Sequence, residues 1–542
     1  MRQLDLSRFD SPRLSLITFS VLLLPIIMAI WFVPWFVTQD GPIHLYNAYL
    51  ISETVKGHSW VQDVYVVNWT PLPNVFGHLL LTVLLQMVSA HTADRLMMTF
   101  TSVGLASAAL WLRWQVAKWK GMTLASPLAV ALALNCMWLW GFYNFLLGVC
   151  LFAITLGYWW AGREHMGVRW AIILAGLVVL GYLCHLVSSV LTIVGLIILS
   201  LTTPGPGRLA RCGWTAITLT PLIPLGGLYY RLMQNAGELR PVWRISLQNR
   251  WSPHAWYQYL EAENPLNLLD SRAFPFIEWT SAWFRLLHAS SWVAVGLLLL
   301  VIGTLFTRTN QEESPARMYR GWIILTLFLL LGWIVGPSDL GSAHGSSLRM
   351  RFFLLALIAI IPVLRLDSKS LHVWGGMAAL VVAVALQSAI VWDCALISNR
   401  TVSLVIEAKP SVGTGKRIGT LRLTSPARSI CDTTSHADAL LGIGTRNIVW
   451  NNYEATQYYF PVKFHDERGP SLARKFDDTV DVKARDAHEL LDQWARLLIE
   501  HHHIIDTFVV WGTDPGLDAM IAKWYGPEPV FQRGELRVFQ HR

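Results

Sequence analysis

A polar segment follows the first hydrophobic run of the chain and reads Val37-Thr38-Gln39-Asp40-Gly41-Pro42-Ile43-His44-Leu45-Tyr46-Asn47. The run before it, Leu14 to Val37, is long enough to cross a bilayer. Asp40 is therefore expected at a membrane surface, where Gly41 and Pro42 end the helix and turn the chain. A carboxylate followed at i+4 by His44 suits an acid–base site for a substrate delivered from lipid. The same residues also fit a helix stop whose polar side chains meet the headgroups.

The composition is that of a membrane protein with many spans. Of the 542 residues, 54% are hydrophobic and 14% are charged, whereas soluble domains carry about 25% charged residues. The 27 tryptophans suit the bilayer interface, where the amphipathic indole ring is favoured. The formal charge of +8 comes from basic residues scattered through short loops, which excludes a nucleic-acid-binding stripe. Membrane lipids, and no nucleic acid, are the predicted surroundings.

The basic residues predict the topology, because short cytoplasmic loops are enriched in Lys and Arg. Residues 1–13 carry three arginines and are assigned to the cytoplasm, so that Asp40 emerges on the outer face. Val75–Ser89 is too short to cross and is expected to lie along the membrane or to re-enter it. Trp170–Leu201 is too long for one span and is expected to turn near Cys184-His185.

These assignments give about eleven spans, a cytoplasmic N-terminus and a C-terminus on the outer face. The predicted spans are Leu14–Val37, Leu96–Ala117, Ser126–Trp140, Phe145–Trp160, the two halves of Trp170–Leu201, Trp214–Tyr230, Trp292–Phe306, Gly321–Val335, Phe352–Leu364 and Val373–Leu396.

The chain divides into a membrane part and a soluble tail. Residues 1–397 are predicted to form a transmembrane domain, with a first outer loop at 38–94 and a second at 231–289. Residues 398–542 are predicted to form an extracytoplasmic domain of ordinary size with mixed α/β structure. Its predicted strands and helices are the strands Arg417–Leu423, Asp506–Trp511 and Leu536–Gln540 and the helices Asp486–Glu500 and Asp514–Trp524. The fold class is thus an α-helical polytopic membrane protein with a C-terminal α/β domain.

The order of features in the membrane part matches a known pattern. The first span is followed at once by Asp40 in a long outer loop. Pro71-Leu72-Pro73-Asn74 then leads into a short membrane-parallel helix, and Asp94-Arg95-Leu96 opens a span that ends in basic residues. Over residues 14–396, and most clearly over 14–200, the chain resembles the GT-C superfamily of membrane glycosyltransferases. The protein O-mannosyltransferase and aminoarabinose transferase families share this opening.

The resemblance implies a reaction and a catalytic residue. GT-C enzymes take sugars from polyprenyl-phosphate carriers on the outer face of the membrane, and an acid in the first outer loop acts as general base on the acceptor. Asp40 is the residue here that matches that acid. Many members have two adjacent acids, whereas Asp40 lies between Gln39 and Gly41. A divalent metal ion stays an open option that no paired acid supports, and no cofactor or metal ligand is assigned.

An anionic polyprenyl phosphate needs cations on its own side of the membrane. Arg349 and Arg351 lie at the outer mouth of the span that begins at Phe352, against the usual placement of positive charge. Residues at i and i+2 do not share a helix face, so at most one of the two points into the site. Contact with lipid headgroups is the alternative interpretation for both arginines.

Three histidines complete the predicted substrate-binding set. His44 follows Asp40, His78 lies on the short parallel helix, and His185 lies within a long apolar stretch. A polar group at membrane depth is costly unless it has a partner, although His185 would simply be at the surface if the chain turns there. The tract His501-His502-His503 is not predicted to bind metal, because consecutive helical residues point in different directions.

The predicted function is that of an inverting glycosyltransferase in a bacterial-type inner or plasma membrane. It would move a hexosyl or pentosyl group from polyprenyl phosphate to a lipid, glycan or protein acceptor. A transporter or flippase of envelope glycoconjugates is one alternative, although such proteins have related halves and the sequence shows no internal repeat. A non-catalytic scaffold is another. Its working part would be the tail, where the segments 450–454 and 458–461 are aromatic and polar enough to contact a sugar or a partner.

Overall fold

The computed structural model describes residues 11–205, 207–236, 262–269, 288–306, 315–339, 346–423, 429–465, 469–477 and 487–541. The cytoplasmic segment predicted before residue 11 and most of the second outer loop lie outside these ranges. Among the described residues, six helices are long and apolar enough to cross a membrane. Four shorter apolar helices accompany them, so the predicted count of eleven spans stays a prediction.

Helices make up nearly all of the described residues of the membrane part. In chain order they are α1 Pro12–Phe32, α2 Gly41–Val55, α3 Ser59–Gln62, α4 Phe76–Met87, α5 Ala90–Ala117, α6 Met122–Ala133, α7 Cys136–Trp140, α8 Tyr143–Gly162, α9 Val168–Cys184, α10 Leu186–Thr202, α11 Arg208–Leu219, α12 Leu222–Asn235, α13 Ala289–Phe306, α14 Pro315–Val335, α15 Leu348–Ile360 and α16 Leu371–Val412. The core centres on α6, every residue of which is buried, and α1, α5 and α16 pack around it.

Two expected irregularities of the helices are confirmed. The segment predicted to be too short to cross forms the 12-residue helix α4. The long apolar stretch after Trp170 breaks at His185, whose extended backbone (φ −163°, ψ 130°) separates α9 from α10. The break leaves His185 at a helix end instead of inside a helix.

The structure differs from the sequence-based boundaries at three places. Gly41 and Pro42 do not end the first helix, which stops at Phe32, but open α2, because proline lacks the N–H that a first helical turn leaves unpaired. The predicted span Trp214–Tyr230 is two helices, separated at Thr220 and Pro221. The last predicted span belongs to the 42-residue α16, so residues 398–412 of the predicted tail continue that helix.

The tail is built on a five-stranded mixed sheet in the order β3-β2-β5-β7-β6. Its strands are β2 Arg417–Arg422, β3 Ile448–Val449, β5 Thr507–Trp511, β6 Phe531–Arg533 and β7 Leu536–Gln540. Strand β2 pairs parallel to β3 and β5, whereas β7 pairs antiparallel to β5 and β6. The helices of this part are α17 Gly469–Asp477, α18 Ala487–His501 and α19 Pro515–Tyr525. All five tail elements predicted from the sequence are therefore present.

The tail is joined directly to the first outer loop. Strand β1 (Tyr65–Val67) of that loop pairs antiparallel with β4 (Val462–Phe464) of the tail. The Tyr46 hydroxyl of α2 donates to the Asn447 carbonyl at 3.0 Å. Gly442 lies against the Tyr46 ring, where a Cβ would stand 2.3 Å from a ring carbon. These contacts place tail residues 436–454 next to the N-terminal end of α2.

Candidate active site

Asp40 stands immediately before α2 and is held there through its backbone. Its N–H donates to the Trp140 carbonyl at 2.9 Å, and the Gln39 N–H donates to the Leu139 carbonyl at 3.0 Å. The first helical N–H, that of Gly41, is accepted by the Thr38 hydroxyl at 3.2 Å. The Asp40 carboxylate makes no capping bond to the helix. Its two oxygens are therefore left for partners from elsewhere in the chain.

Gly141 allows the approach of the two segments that carry these bonds. It has a left-handed backbone (φ +83°), which L side chains rarely adopt. A Cβ at this position would also stand 2.6 Å from the Thr38 hydroxyl oxygen and 2.9 Å from the Gly41 nitrogen. Any larger residue would push the Asp40 backbone away from the end of α7.

The tail supplies the partners of the Asp40 carboxylate, which is 5% exposed. The Tyr453 hydroxyl donates to Oδ2 at 2.9 Å, and Nε2 of His436 lies 3.7 Å from Oδ1. Burial and the nearby Arg422 guanidinium together lower the pKa of His436 to about 3, although Glu454 opposes the shift. His436 is therefore neutral at physiological pH and acts on Asp40 as a dipole instead of as a charge.

A second tail carboxylate, Glu454, lies between two histidines of the first outer loop. Its Oε1 is 2.6 Å from Nδ1 of His44, and its Oε2 is 2.8 Å from Nε2 of His78. Asn47 donates to the same Oε2 at 2.5 Å and pairs with the Asn452 amide. We call Asp40, His44, His78 and Glu454 the carboxylate cluster.

Burial and attraction act in opposite directions inside this cluster. Burial disfavours the charged form of His44, but attraction to Glu454 outweighs it and raises the pKa of the imidazole. Burial likewise disfavours the Glu454 carboxylate, yet the two histidines hold the pKa of this group well below its ordinary value. The carboxylate of Glu454 is therefore ionised and depends on positive charge beside it.

A cation cluster, Arg351 and His185, contacts the segment Gly141–Phe145 through Phe142 and Phe145. The guanidinium donates to Nε2 of His185 at 2.6 Å and stands 5.4 Å from the ring centroid of Phe142 and 5.0 Å from that of Phe145. Both members are buried. His185 must then carry its proton on Nδ1. This Nδ1–H and the Arg351 Nε–H have no acceptor among the described residues.

Arg349 and Arg351 have different surroundings, as their spacing predicts. Arg349 donates from Nε to the Gly336 carbonyl at 2.6 Å and lies 3.6 Å from Oε1 of Glu263. Arg351 has no carboxylate partner within the described ranges of the chain. Of the two, Arg351 is thus the cation available to an external anion.

The structure gathers the predicted site residues into the two clusters, with Arg349 beside them. His436, Tyr453 and Glu454 were not predicted as site residues. The tail segment 450–454 stood out in the sequence only as aromatic and polar. Its proximity to Asp40 follows from the β1–β4 pairing and from the packing of Tyr46, neither of which has a local sequence signal.

Comparison with known proteins gives two similar solved structures. One is the apo crystal structure of ArnT from Cupriavidus metallidurans, with 12% sequence identity, a TM-score of 0.45, and coverage of 96% of this chain and 97% of that chain. The other is the arabinofuranosyltransferase AftD from Mycobacteria, with 14% identity and a TM-score of 0.47. That match covers 98% of this chain, which spans 40% of the AftD chain.

At 12% and 14% identity and TM-scores below 0.5, neither match assigns a family or an activity to this chain. No family profile and no curated protein matches the sequence. The function is therefore inferred from the side chains of the two clusters.

Proposed function

We propose that this chain is a membrane glycosyltransferase that moves a sugar from a polyprenyl-phosphate carrier to an acceptor, with Asp40 as the general base. The observation that carries the proposal is the pair of clusters that contact the segment Gly141–Phe145. One holds a buried carboxylate, and the other holds a buried cation without a carboxylate partner in the described residues. A glycosyl phosphate reaction needs both, a base for the acceptor and a positive site for the leaving phosphate.

Asp40 would accept the proton of the acceptor hydroxyl as that oxygen attacks the anomeric carbon. The bond between this carbon and the phosphate oxygen breaks, and the polyprenyl phosphate leaves with the electron pair. A single displacement of this kind inverts the anomeric centre. The Tyr453 hydroxyl, which donates to one oxygen of Asp40, would orient the carboxylate for the incoming proton.

Arg351 and His185 would bind the phosphate. The negative charge on the leaving phosphate grows in the transition state, so a fixed cation stabilises that state more than the bound donor. The two unpaired N–H groups of this cluster would gain acceptors from the phosphate oxygens. Arg349 would contribute through the local field, because the Gly336 carbonyl and Glu263 already hold its guanidinium.

His44 and His78 would lie beside the acceptor, since both belong to the cluster that contains Asp40. The acceptor is a lipid, glycan or protein that approaches from the outer face of the membrane. The tail takes part in the site itself, through Tyr453 and Glu454, which favours a catalytic role for the tail over that of a separate binding module.

A transfer assay tests the proposal. The full-length protein, purified in detergent, is incubated with a panel of radiolabelled polyprenyl-phosphate sugars and with extracted envelope lipids, glycans and peptides as acceptors. We expect transfer from one donor, with inversion at the anomeric carbon as read by nuclear magnetic resonance of the product. Retention of the anomeric configuration would contradict the single displacement. Failure to bind polyprenyl phosphate at all would contradict the assignment of Arg351.

A further inference from the structure

Glu454 and its two histidines have the composition and arrangement of a metal site. The donor atoms of His44, His78 and Glu454 all lie within 4.8 Å of one another, and all three residues are buried. We propose that these three side chains bind a divalent transition-metal ion of the zinc class. The test of this site is independent of the proposed transfer reaction, because metal binding is measured without donor or acceptor.

The backbone fixes the tautomer of both rings in the form that a metal requires. Nε2 of His44 is 2.9 Å from the Gly141 carbonyl, and Nδ1 of His78 is 3.2 Å from the Asn74 carbonyl. A carbonyl oxygen only accepts, so each of these nitrogens carries a proton. When the rings are neutral, the opposite nitrogens, Nδ1 of His44 and Nε2 of His78, present lone pairs. Metal-binding histidines typically donate their other N–H to a backbone carbonyl or carboxylate in this way.

Both of these nitrogens face the Glu454 carboxylate. Nδ1 of His44 and Oε1 of Glu454 are 2.6 Å apart and buried, yet neither atom has a hydrogen-bond partner among the described residues. A nitrogen lone pair and a carboxylate oxygen repel each other at this distance unless positive charge lies between them. A buried carboxylate without such charge is strongly destabilising, and the Glu454 side chain is fully buried. A bound metal ion supplies this charge to both contacts at once.

The distances fit a tetrahedral ion after a small adjustment. Zinc binds imidazole nitrogen and carboxylate oxygen at about 2.0–2.2 Å, which places neighbouring ligand atoms roughly 3.3 Å apart. The observed separations of 2.6 and 2.8 Å would have to open by roughly half an ångström. Asn47, which donates to Oε2 of Glu454, would hold the carboxylate in its orientation toward the ion.

Two histidines and one glutamate leave a fourth position open. This ligand number is typical of zinc sites that hold a water molecule or a substrate oxygen. The ligands come from α2, α4 and the short helix Tyr453–Thr456 of the tail, so binding would also fasten the tail to the first outer loop. One of the three ligands, Glu454, lies in the tail, which explains why the sequence around Asp40 did not predict this metal site.

The test measures metal binding directly. The full-length protein carries a tag without histidine, is stripped with dipicolinate in detergent, and is then loaded with Zn²⁺ or Co²⁺. Metal content is measured by mass spectrometry after gel filtration, and X-ray absorption of the zinc-loaded wild type identifies the ligands. The variants are His78→Ala and Glu454→Gln. The matched control is His503→Ala, which removes a histidine from the surface tract 501–503.

We expect one tightly bound ion per chain in the wild type and in His503→Ala, with two imidazoles and oxygen ligands in the absorption spectrum. In His78→Ala and Glu454→Gln, affinity should fall at least 10-fold, as loss of a ligand commonly causes. A wild type that binds no ion above background would overturn the proposal, and protons would then supply the positive charge. So would undiminished binding in Glu454→Gln, or loss of binding in His503→Ala. If a variant fails to fold, the ligand set in the wild-type spectrum decides, because it needs no substitution.

Discussion

The carboxylate cluster and the cation cluster both contact the segment Gly141–Phe145, but their charged groups have different partners. In the carboxylate cluster, Asp40 and the two histidines of the outer loop meet tail residues, namely His436, Tyr453 and Glu454. In the cation cluster, Arg351 meets one neutral imidazole and two aromatic rings, and no carboxylate in the described part of the chain.

The difference indicates where a ligand is needed. A buried charge that the protein has paired is already compensated, whereas a buried cation without an anion is costly. The cation cluster is therefore the part of the site that gains most from an anionic ligand such as a phosphate. Tail residues contact the Asp40 carboxylate, so a substrate that reaches Asp40 has to replace or rearrange the contacts of Tyr453 and His436.

The largest expected effect is that of Asp40→Asn, which removes the proposed base and keeps the size of the side chain. Loss of a general base typically costs about 100- to 10,000-fold in rate, so transfer should fall by that order with little change in donor binding. The measurement is initial-rate transfer with melting temperature as the check on folding. Asp63→Asn makes the same change at an exposed position of the same outer loop and should retain wild-type activity. Equal activity of the two variants would show that Asp40 is not the general base.

The paired variants Arg351→Gln and Arg349→Gln test the contrast between an available and an occupied cation. A hydrogen bond to a charged group contributes about 1.5–3 kcal/mol, so Arg351→Gln should lower kcat/KM for the donor roughly 10- to 100-fold. Arg349→Gln should change it by less than about 3-fold, because that guanidinium is held by Glu263 and the Gly336 carbonyl. Donor titrations and competition by polyprenyl phosphate measure both. A larger loss in Arg349→Gln than in Arg351→Gln would identify Arg349 as the phosphate-binding cation.

Much of the fold was predictable because it depends on local pattern. The lengths of the apolar runs predicted the short α4 and the break at His185. Local residue patterns predicted the strands β2, β5 and β7. The boundary between membrane part and tail was missed because α16 continues through residue 398 as a single helix. Residues 398–412 are helical without being uniformly apolar, so hydropathy marks the end of the apolar run and not the end of the helix.

The site residues of the membrane part were predicted from the sequence, whereas those of the tail were not. Asp40, His44 and His78 are close in sequence and were found by type and position. Tyr453 and Glu454 lie about four hundred residues away, and the contacts that bring them to Asp40 are tertiary, so no spacing rule connects them. The distinction between Arg349 and Arg351 was half predictable. Their spacing excludes a shared face, but only the packing shows that Arg349 is the one with a carboxylate partner.

A smaller effect is expected from Tyr453→Phe, which removes the hydroxyl that the tail donates to Asp40. If the tail orients the base, kcat should fall roughly 3- to 10-fold while the donor KM stays unchanged, since one hydrogen bond contributes about 1 kcal/mol. Tyr458→Phe is the matched control, because it breaks a hydroxyl pair with Tyr229 in the same tail segment without touching Asp40. A drop in kcat of the same size in both variants would indicate a general effect on the tail and not on the base.

The smallest expected effect is a pH dependence of folding stability that comes from Asp438, a buried residue of the tail beside the carboxylate cluster. Asp438 follows His436 by two residues, is fully buried, and accepts a hydrogen bond from Thr420. Burial raises the pKa of this carboxyl from 3.8 to about 6.

The folded state therefore holds the proton of Asp438 more tightly than the unfolded chain does. The resulting stability is complete below pH 4 and is lost as the pH rises through 6, by roughly 3 kcal/mol at most. Asp438→Asn lacks this term, so its melting temperature should rise relative to the wild type between pH 4 and pH 7. If the difference in melting temperature between Asp438→Asn and the wild type stays constant over this range, Asp438 is ionised in the folded state throughout. The tail would then keep its contacts to Asp40 without a buried proton on Asp438.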